Sequence, residues 1–321
     1  MNKQLSFVDV AKGIGIILVV IGHYYPENSP SFYKDLHDFI YTFHMPLFLL
    51  MSGGMYIYTK KDIPWVSFVK KKLKRIALPY LIVSLFIIGI KLLTQKGAYV
   101  ENGVDCMSFL RIFYKPEAGY FLWYLWVLLW MYIICSLSDA SIYLNLLMIA
   151  SVVLKFLPID FSEIFCLSEL KNNAMYFMLG VTLFRMKIYE NSNVARYRLM
   201  FVALWVLLSL LWFGGICKSA LLMSIVGSLG VLAISDIIGD KSQKLLYIGA
   251  SSFVIYLFHT TFMGFAKSFV FKLSNTLFVE NVYLFILSSF IVVLFGIILP
   301  LLLQEFILKK NRVTKFLFGY K

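Results

Sequence analysis

Apolar positions come in long blocks along this chain, separated by short polar or charged stretches. Runs of about 20 mostly apolar residues are long enough to cross a bilayer as helices. Ten such runs are predicted, at 7–25, 38–58, 76–94, 120–137, 141–157, 172–188, 198–214, 217–236, 245–270 and 281–308. Some hinges between them are very short, for example "SLSDA" at 136–140. The pattern predicts an all-α fold, a polytopic integral membrane bundle of about ten transmembrane helices. Residues 1–321 form a single transmembrane domain in this reading, because no segment outside the spans is long enough to fold alone. Any chemistry is expected inside the bundle or at its faces.

Composition agrees with the pattern. The 321 residues are 60% hydrophobic and 15% charged, and the mean hydropathy is +0.81. A soluble domain is typically about 45–50% apolar and about 25% charged. The net charge of +13 would suggest nucleic acid in a soluble chain. In a membrane protein it predicts a basic cytoplasmic face meeting anionic lipid or an anionic ligand, and no nucleic-acid partner.

Lys and Arg also set the orientation. With the N-terminus inside, the cytoplasmic segments 1–12, 59–75, 185–198, 236–244 and 305–321 carry 20 of the 30 basic residues. An even number of spans keeps both termini cytoplasmic, in a multi-pass protein of the cytoplasmic membrane. The first segment carries Asp9 and Lys12 and shows no small-residue cleavage site, so it is read as a retained helix. The four cysteines include no C-x-x-C pair. Cys106 and Cys166 fall in predicted outer loops, and their pairing is left open.

Several polar positions stand out against this background. Lys12 and His23 are eleven residues apart, close to three helical turns with about 20° of offset. They share one face of the first span, about 16 Å apart along the axis. Asp9 lies one turn before Lys12 and can pair with it. Ionisable groups within a span usually face the bundle interior or a wet cavity. The bland alternative has Lys12 snorkelling to inner headgroups.

"FHMPLFLLMSGGMY" at 43–56 places His44 near His23 in depth, and its Pro46, Ser52, Gly53 and Gly54 are expected to weaken or kink the helix. Ordinary small-residue packing is the simpler account of the glycines. "FVKKKLKRIALPY" at 68–80 concentrates five cations in six residues, suited to phosphates or to anionic lipid. His259 in "SSFVIYLFHTTFM" is expected near mid-bilayer, where an imidazole packs or pairs. Trp123 and Tyr124 read first as interfacial belt residues and second as pocket lining.

No H-E-x-x-H, P-loop, G-x-S-x-G or dinucleotide fingerprint is present, and no metal site or resident cofactor is predicted. His23, His37, His44 and His259 are the only histidines.

At these residues the sequence resembles acyltransferase family three, multispan membrane proteins that include bacterial polysaccharide O-acetyltransferases. The resemblance is carried by Asp9 with "KGIGIILVVIGH", by "FHMPLFLLMSGGMY", by "KKKLKRIALPY", by "LWYL" and by "SSFVIYLFH". It implies transfer of an acyl group, usually acetyl from cytosolic acetyl-CoA, to a hydroxyl of an extracytoplasmic or lipid-linked sugar. Longer members append a hydrolase-like domain, for which this chain has no room.

The family's first-span motif is a basic residue, most often Arg, then ten residues, then His. Lys12 and His23 occupy it; Lys keeps the charge but lacks the planar fork. The family's paired cations before the third span correspond to Lys72 and Arg75, upstream of Pro79, and are implied to meet donor phosphates.

The expected mechanism follows. Acyl-CoA enters from the cytoplasm and its pantetheine arm reaches along a channel between spans. His23 acts as general base or forms an acyl-imidazole. Lys12 and Asp9 orient the donor end. His44 and Ser52, with Trp123, Tyr124 and His259, are a second tier of pocket residues. The outer loops 26–37, 95–119, 158–171 and 271–281 are expected to shape the acceptor site. Expected partners are acyl-CoA, a glycan or lipid-linked acceptor and membrane lipids; a homo-oligomer is left open.

Two other classes remain. A small-molecule transporter or flippase also uses broken spans and midplane polar groups, although no inverted halves are visible. A sensor whose histidines report pH explains Lys12 and His23 least well.

Overall fold

The computed structural model describes residues 6–26, 29–60, 63–95, 102–187, 197–273 and 281–320. Every regular element among them is helical, and none is a strand. In chain order these are α1 (Ser6–His23), α2 (Ser31–Thr59), α3 (Trp65–Lys72), α4 (Leu78–Thr94), α5 (Ser108–Arg111), α6 (Trp123–Cys135) and α7 (Ser141–Phe156). They continue with α8 (Leu167–Arg185), α9 (Arg198–Phe213), α10 (Ala220–Ile238), α11 (Gln243–Ala250), α12 (Ser252–Leu273), α13 (Val282–Leu303) and α14 (Arg312–Phe318).

Six helical stretches are long and apolar enough to cross a membrane: Ser6–His23, Ser31–Thr59, Trp65–Thr94, Ala220–Ile238, Ser252–Val270 and Val282–Leu308. Tyr120–Cys135, Ser141–Phe156 and Arg198–Phe213 are shorter apolar helices. α8 belongs to neither group, because its first turns carry Ser168, Glu169, Lys171, Asn172 and Asn173. The chain is a helical membrane protein.

Prolines explain several departures from the predicted boundaries. α2 begins at Ser31, seven residues before the predicted span. The Pro30 carbonyl accepts the first helical bonds, from the Tyr33 and Lys34 N–H groups at 2.9 and 3.1 Å. His37 is therefore helical, not part of an outer loop. The helix continues unbroken through Pro46, Gly53 and Gly54, where weakening was expected.

The third span starts at Trp65, behind Pro64, and takes the whole cationic run into a helix. It widens to π geometry over Leu73–Ala77. Pro79 has no N–H to offer the Arg75 carbonyl, and its ring crowds that oxygen, so the ladder lengthens there. The predicted ninth span is two helices. α11 ends at Ser251, whose φ of −95° and ψ of 1° leave helical geometry before α12 starts.

Backbone contacts divide the chain into two compact units, Met1–Met51 with Lys187–Glu305, and Ser52–Met186 with Phe306–Lys321. In the first unit α1 is central and packs on α10, α11, α12 and α13. Its approach to α11 is backbone on backbone. A Cβ on Gly249 would collide with the Asp9 carbonyl, and one on Gly13 with the Leu245 carbonyl.

In the second unit α8 packs on α6 and α7, and α14 rests on α4 and the π segment. A Cβ on Gly53 would strike the Phe177 carbonyl and one on Gly54 the Phe184 ring. Small-residue packing is thus the role these two glycines fill. Cys106 and Cys166 are both free, the first exposed and the second buried.

Candidate active site

The predicted site residues fall in two groups, one in each unit. The first unit holds Asp9, Lys12, His23, His44 and His259. The Lys12 Nζ donates to Asp9 Oδ1 at 3.1 Å, the pair that their one-turn spacing predicts. Both side chains keep part of their surface open, 28% and 21%.

His23 is the last residue of α1. Its Nδ1 faces the Val19 carbonyl oxygen at 2.8 Å. A carbonyl only accepts, so the neutral ring carries its proton on Nδ1 and its lone pair on Nε2. The same logic fixes His44, whose Nδ1 lies 2.8 Å from the Ile40 oxygen. It also fixes His259, whose Nδ1 meets the Ile255 and Tyr256 oxygens at 3.1 and 2.8 Å. In all three cases a helical carbonyl three or four residues earlier holds the ring and leaves Nε2 as the basic nitrogen.

The imidazoles converge. The His23 and His259 rings meet edge to face, with centroids 4.8 Å apart and planes at 90°. Such geometry satisfies the ring quadrupoles. His44 is 2% exposed and His259 is 0% exposed. Tyr41 joins the remaining rings, with its centroid 6.0 Å from His23, 4.8 Å from His44 and 4.1 Å from His37. All four histidines thus belong to one chain of ring contacts within the first unit. The glycine before His23 makes room for it, since a Cβ on Gly22 would press on the Tyr41 ring at 3.0 Å.

The second group comprises Lys72, Arg75, Ser52, Trp123 and Tyr124. Lys72 is half-buried, with its ammonium 3.5 Å above the Tyr132 ring centroid and 5.2 Å from that of Phe68. An aromatic face attracts a cation while leaving ammonium protons for an anion on the other side. Arg75 is exposed and lies within the π segment, which begins directly after Lys72. Ser52 and Tyr124 share a hydrogen bond at 3.0 Å between their hydroxyls. Tyr124 is 7% exposed, which corrects its reading as a belt residue. Trp123 packs edge to face against Tyr124 with centroids 6.3 Å apart.

Tyr41 and Tyr132 escaped the sequence reading, and His37 entered it only as one of the four histidines. His37 and Tyr41 lie at i and i+4 on α2, and His44 follows at i+7. That stripe is legible once α2 is allowed to begin at Ser31. Tyr132 had no local signal, because its contact with Lys72 joins residues sixty positions apart in sequence. Of the outer loops expected to shape an acceptor, residues 27–28, 96–101 and 274–280 lie outside the described residues. So do residues 1–5 and 188–196 of the predicted cytoplasmic segments.

Comparison with known proteins identifies the family. The family model described as "Acyltransferase domain", Acyl_transf_3, matches residues 5–304. Among curated proteins the chain is similar to Nodulation protein NolL of Sinorhizobium fredii, 30% identical over 200 residues, or 60% of this chain and 51% of that protein. It is also similar to Nodulation protein NolL of Mesorhizobium japonicum, 26% identical over 221 residues, or 67% of this chain and 57% of that protein. The chain therefore spans somewhat over half the length of these relatives. No solved structure matches. Because the family match runs through α1, the cationic run of α3 and His259 alike, the chain belongs to the acyltransferase family described by that model.

Proposed function

We propose that this chain is a membrane O-acyltransferase that moves an acyl group, acetyl in the simplest case, from cytosolic acyl-CoA to a hydroxyl of an extracytoplasmic or lipid-linked glycan. The supporting observation is His23. It ends a candidate membrane span, presents a basic Nε2, and lies against a second imidazole. That is the equipment a general base needs.

In the direct route Nε2 takes the acceptor hydroxyl proton as the oxygen attacks the thioester carbon. The C–S bond breaks, and the thiolate recovers the proton from the imidazolium. In the covalent route Nε2 itself becomes acylated first. Lys72 and Arg75 hold the donor's phosphates, Arg75 as a fork and Lys72 as a point charge. Asp9 and Lys12 fix the electrostatics at the other end of α1. His44 and His259 of the first unit, and Ser52, Trp123 and Tyr124 of the second, are second-tier candidates.

In this reading about ten helices cross the cytoplasmic membrane, including the three shorter apolar helices and α8. Both termini are cytoplasmic, as the distribution of Lys and Arg favours.

The test is His23→Ala with radiolabelled acetyl-CoA. Label in the glycan fraction is expected to vanish while the protein still inserts in the membrane. Label at the wild-type level refutes the assignment. A carrier of small molecules is the second reading, favoured by the break between α11 and α12 at Ser251. Solute uptake by proteoliposomes, with no acyl transfer, would establish it.

A further inference from the structure

His37 has no part in the mechanism above, yet its imidazole is set against a carboxylate. Its Nδ1 donates to Asp38 Oδ1 at 3.0 Å. The ring is sandwiched between Tyr25 and Tyr41, with centroids 4.1 Å away on both sides and tilts of 31° and 30°. A carboxylate on Nδ1 and two flanking rings fix both tautomer and plane. Nε2 is left as a hydrogen-bond acceptor, with a carboxylate to stabilise the imidazolium once formed.

Its surroundings differ from those of the other histidines. His44 and His259 are sealed from water, and their partners are backbone carbonyls. Around His37, Tyr25 and Tyr41 are 41% and 43% exposed, and the Asp38 side chain is 66% exposed. The His37 and His23 rings are both half-buried, whereas His44 and His259 are buried. Tyr41 then bridges His37 to His23.

We propose that His37, oriented by Asp38, is the acceptor-side base of the transfer, acting on a hydroxyl while His23 carries the acyl group. This rests on the acyltransferase reading above. The chemical reason is that one nitrogen cannot do both jobs. Once the acyl carbon is bonded to His23 Nε2, that atom has no lone pair for a proton.

The first step forms the N–C bond and breaks the C–S bond, and the thiolate takes a proton from cytosolic water. In the second, the acceptor oxygen bonds to the acyl carbon as its proton passes to His37 Nε2. The N–C bond breaks, its electron pair returns to His23 Nε2, and His37 releases the proton to water. The sum is thioester plus alcohol giving ester plus thiol.

The experiment uses the full chain in membranes of the expressing cell, with [14C]acetyl-CoA, reading alkali-labile label in the glycan fraction and label bound to the protein. His37→Ala is expected to lower glycan label by about 100-fold, the lower range for losing a general base. Protein-bound label should rise above wild type, because acylation still occurs while discharge stalls. Added imidazole should restore glycan label. Asp38→Asn should lower transfer by at least about tenfold through loss of the tautomer lock. His37→Gln keeps most of the side-chain volume and serves if the alanine variant fails to fold. Glycan label within twofold of wild type overturns the proposal. So does loss of glycan label with no protein-bound label and no imidazole rescue. If wild type labels no glycan while the membranes take up solute, the acyltransferase reading itself falls.

Discussion

Replacing Gly249 with Ala isolates how α1 is held. Gly249 and Gly13 form a backbone-on-backbone crossing between α11 and α1, the helix that carries Asp9, Lys12 and His23. The methyl would sit well inside 3.0 Å of the Asp9 carbonyl oxygen and 3.0 Å from the Gly13 nitrogen. Neither obstacle is a flexible side chain, so a backbone must move by roughly an ångström or more to restore ordinary contact.

Gly→Ala in a helix interior gains about 1 kcal/mol in propensity. Overpacking a close contact costs about 1–3 kcal/mol and occasionally more. The net expectation is destabilisation by up to about 2 kcal/mol, or an apparent melting midpoint lower by up to several degrees. A misplacement of about 1 Å near reacting groups costs on the order of 100-fold in rate, so transfer should fall further than stability.

Gly264→Ala is the internal control. It lies in α12 with nothing within 4 Å of an added Cβ. The same substitution there should be neutral or stabilising by up to about 1 kcal/mol. Thermal unfolding of the full chain in detergent and the radiolabel transfer assay read both variants. If Gly249→Ala melts at or above wild type and keeps full transfer, the close crossing is not what positions α1.

Other predictions test the second unit. Tyr132→Leu removes the aromatic face beneath the Lys72 ammonium at 3.5 Å. The lost cation–π term of about 0.5–2 kcal/mol should raise KM for acyl-CoA by about two- to thirtyfold with little change in kcat. An unchanged KM would mean that the seating of Lys72 is irrelevant to donor binding.

The loop after α4 carries a pH-dependent clasp. Burial is the largest single influence on the Glu117 carboxyl and would raise it, but the Arg111 Nε, donating at 2.6 Å, together with the Lys115 charge and the Ser108 hydroxyl holds that carboxyl below the usual glutamate range. A depressed carboxyl contributes stability that is fully present above its unfolded value, about 4.3. That contribution is lost as the pH falls through the lower folded value. Limited proteolysis of residues 102–119 should therefore quicken in acid in the wild type. Glu117→Gln should be cleaved faster at neutral pH, with a flatter dependence.

Much of this protein is decided by its sequence. Blocks of apolar residues too long for a soluble core fix an all-helical membrane protein, because a chain in lipid must satisfy its backbone bonds within each segment. The step from Lys12 to His23 puts both on one helical face, and the step from Asp9 to Lys12 allows their ion pair. Local spacing decides such facts, since helix geometry converts sequence distance directly into position.

Other features required the fold. That His259 meets His23 edge to face, and that Tyr132 lies under Lys72, depends on contacts between helices far apart in sequence. Amphipathic periodicity does not encode those contacts when most faces are apolar. His37 is the intermediate case. Pro30 starts α2 early and turns an apparent loop residue into the first member of a helical stripe with Tyr41 and His44. Asp38 and Tyr41, which hold its ring, are neighbours in sequence and in helical spacing, whereas Tyr25 lies before α2. Only tertiary packing of Tyr41 against His23 ties that stripe to the end of α1.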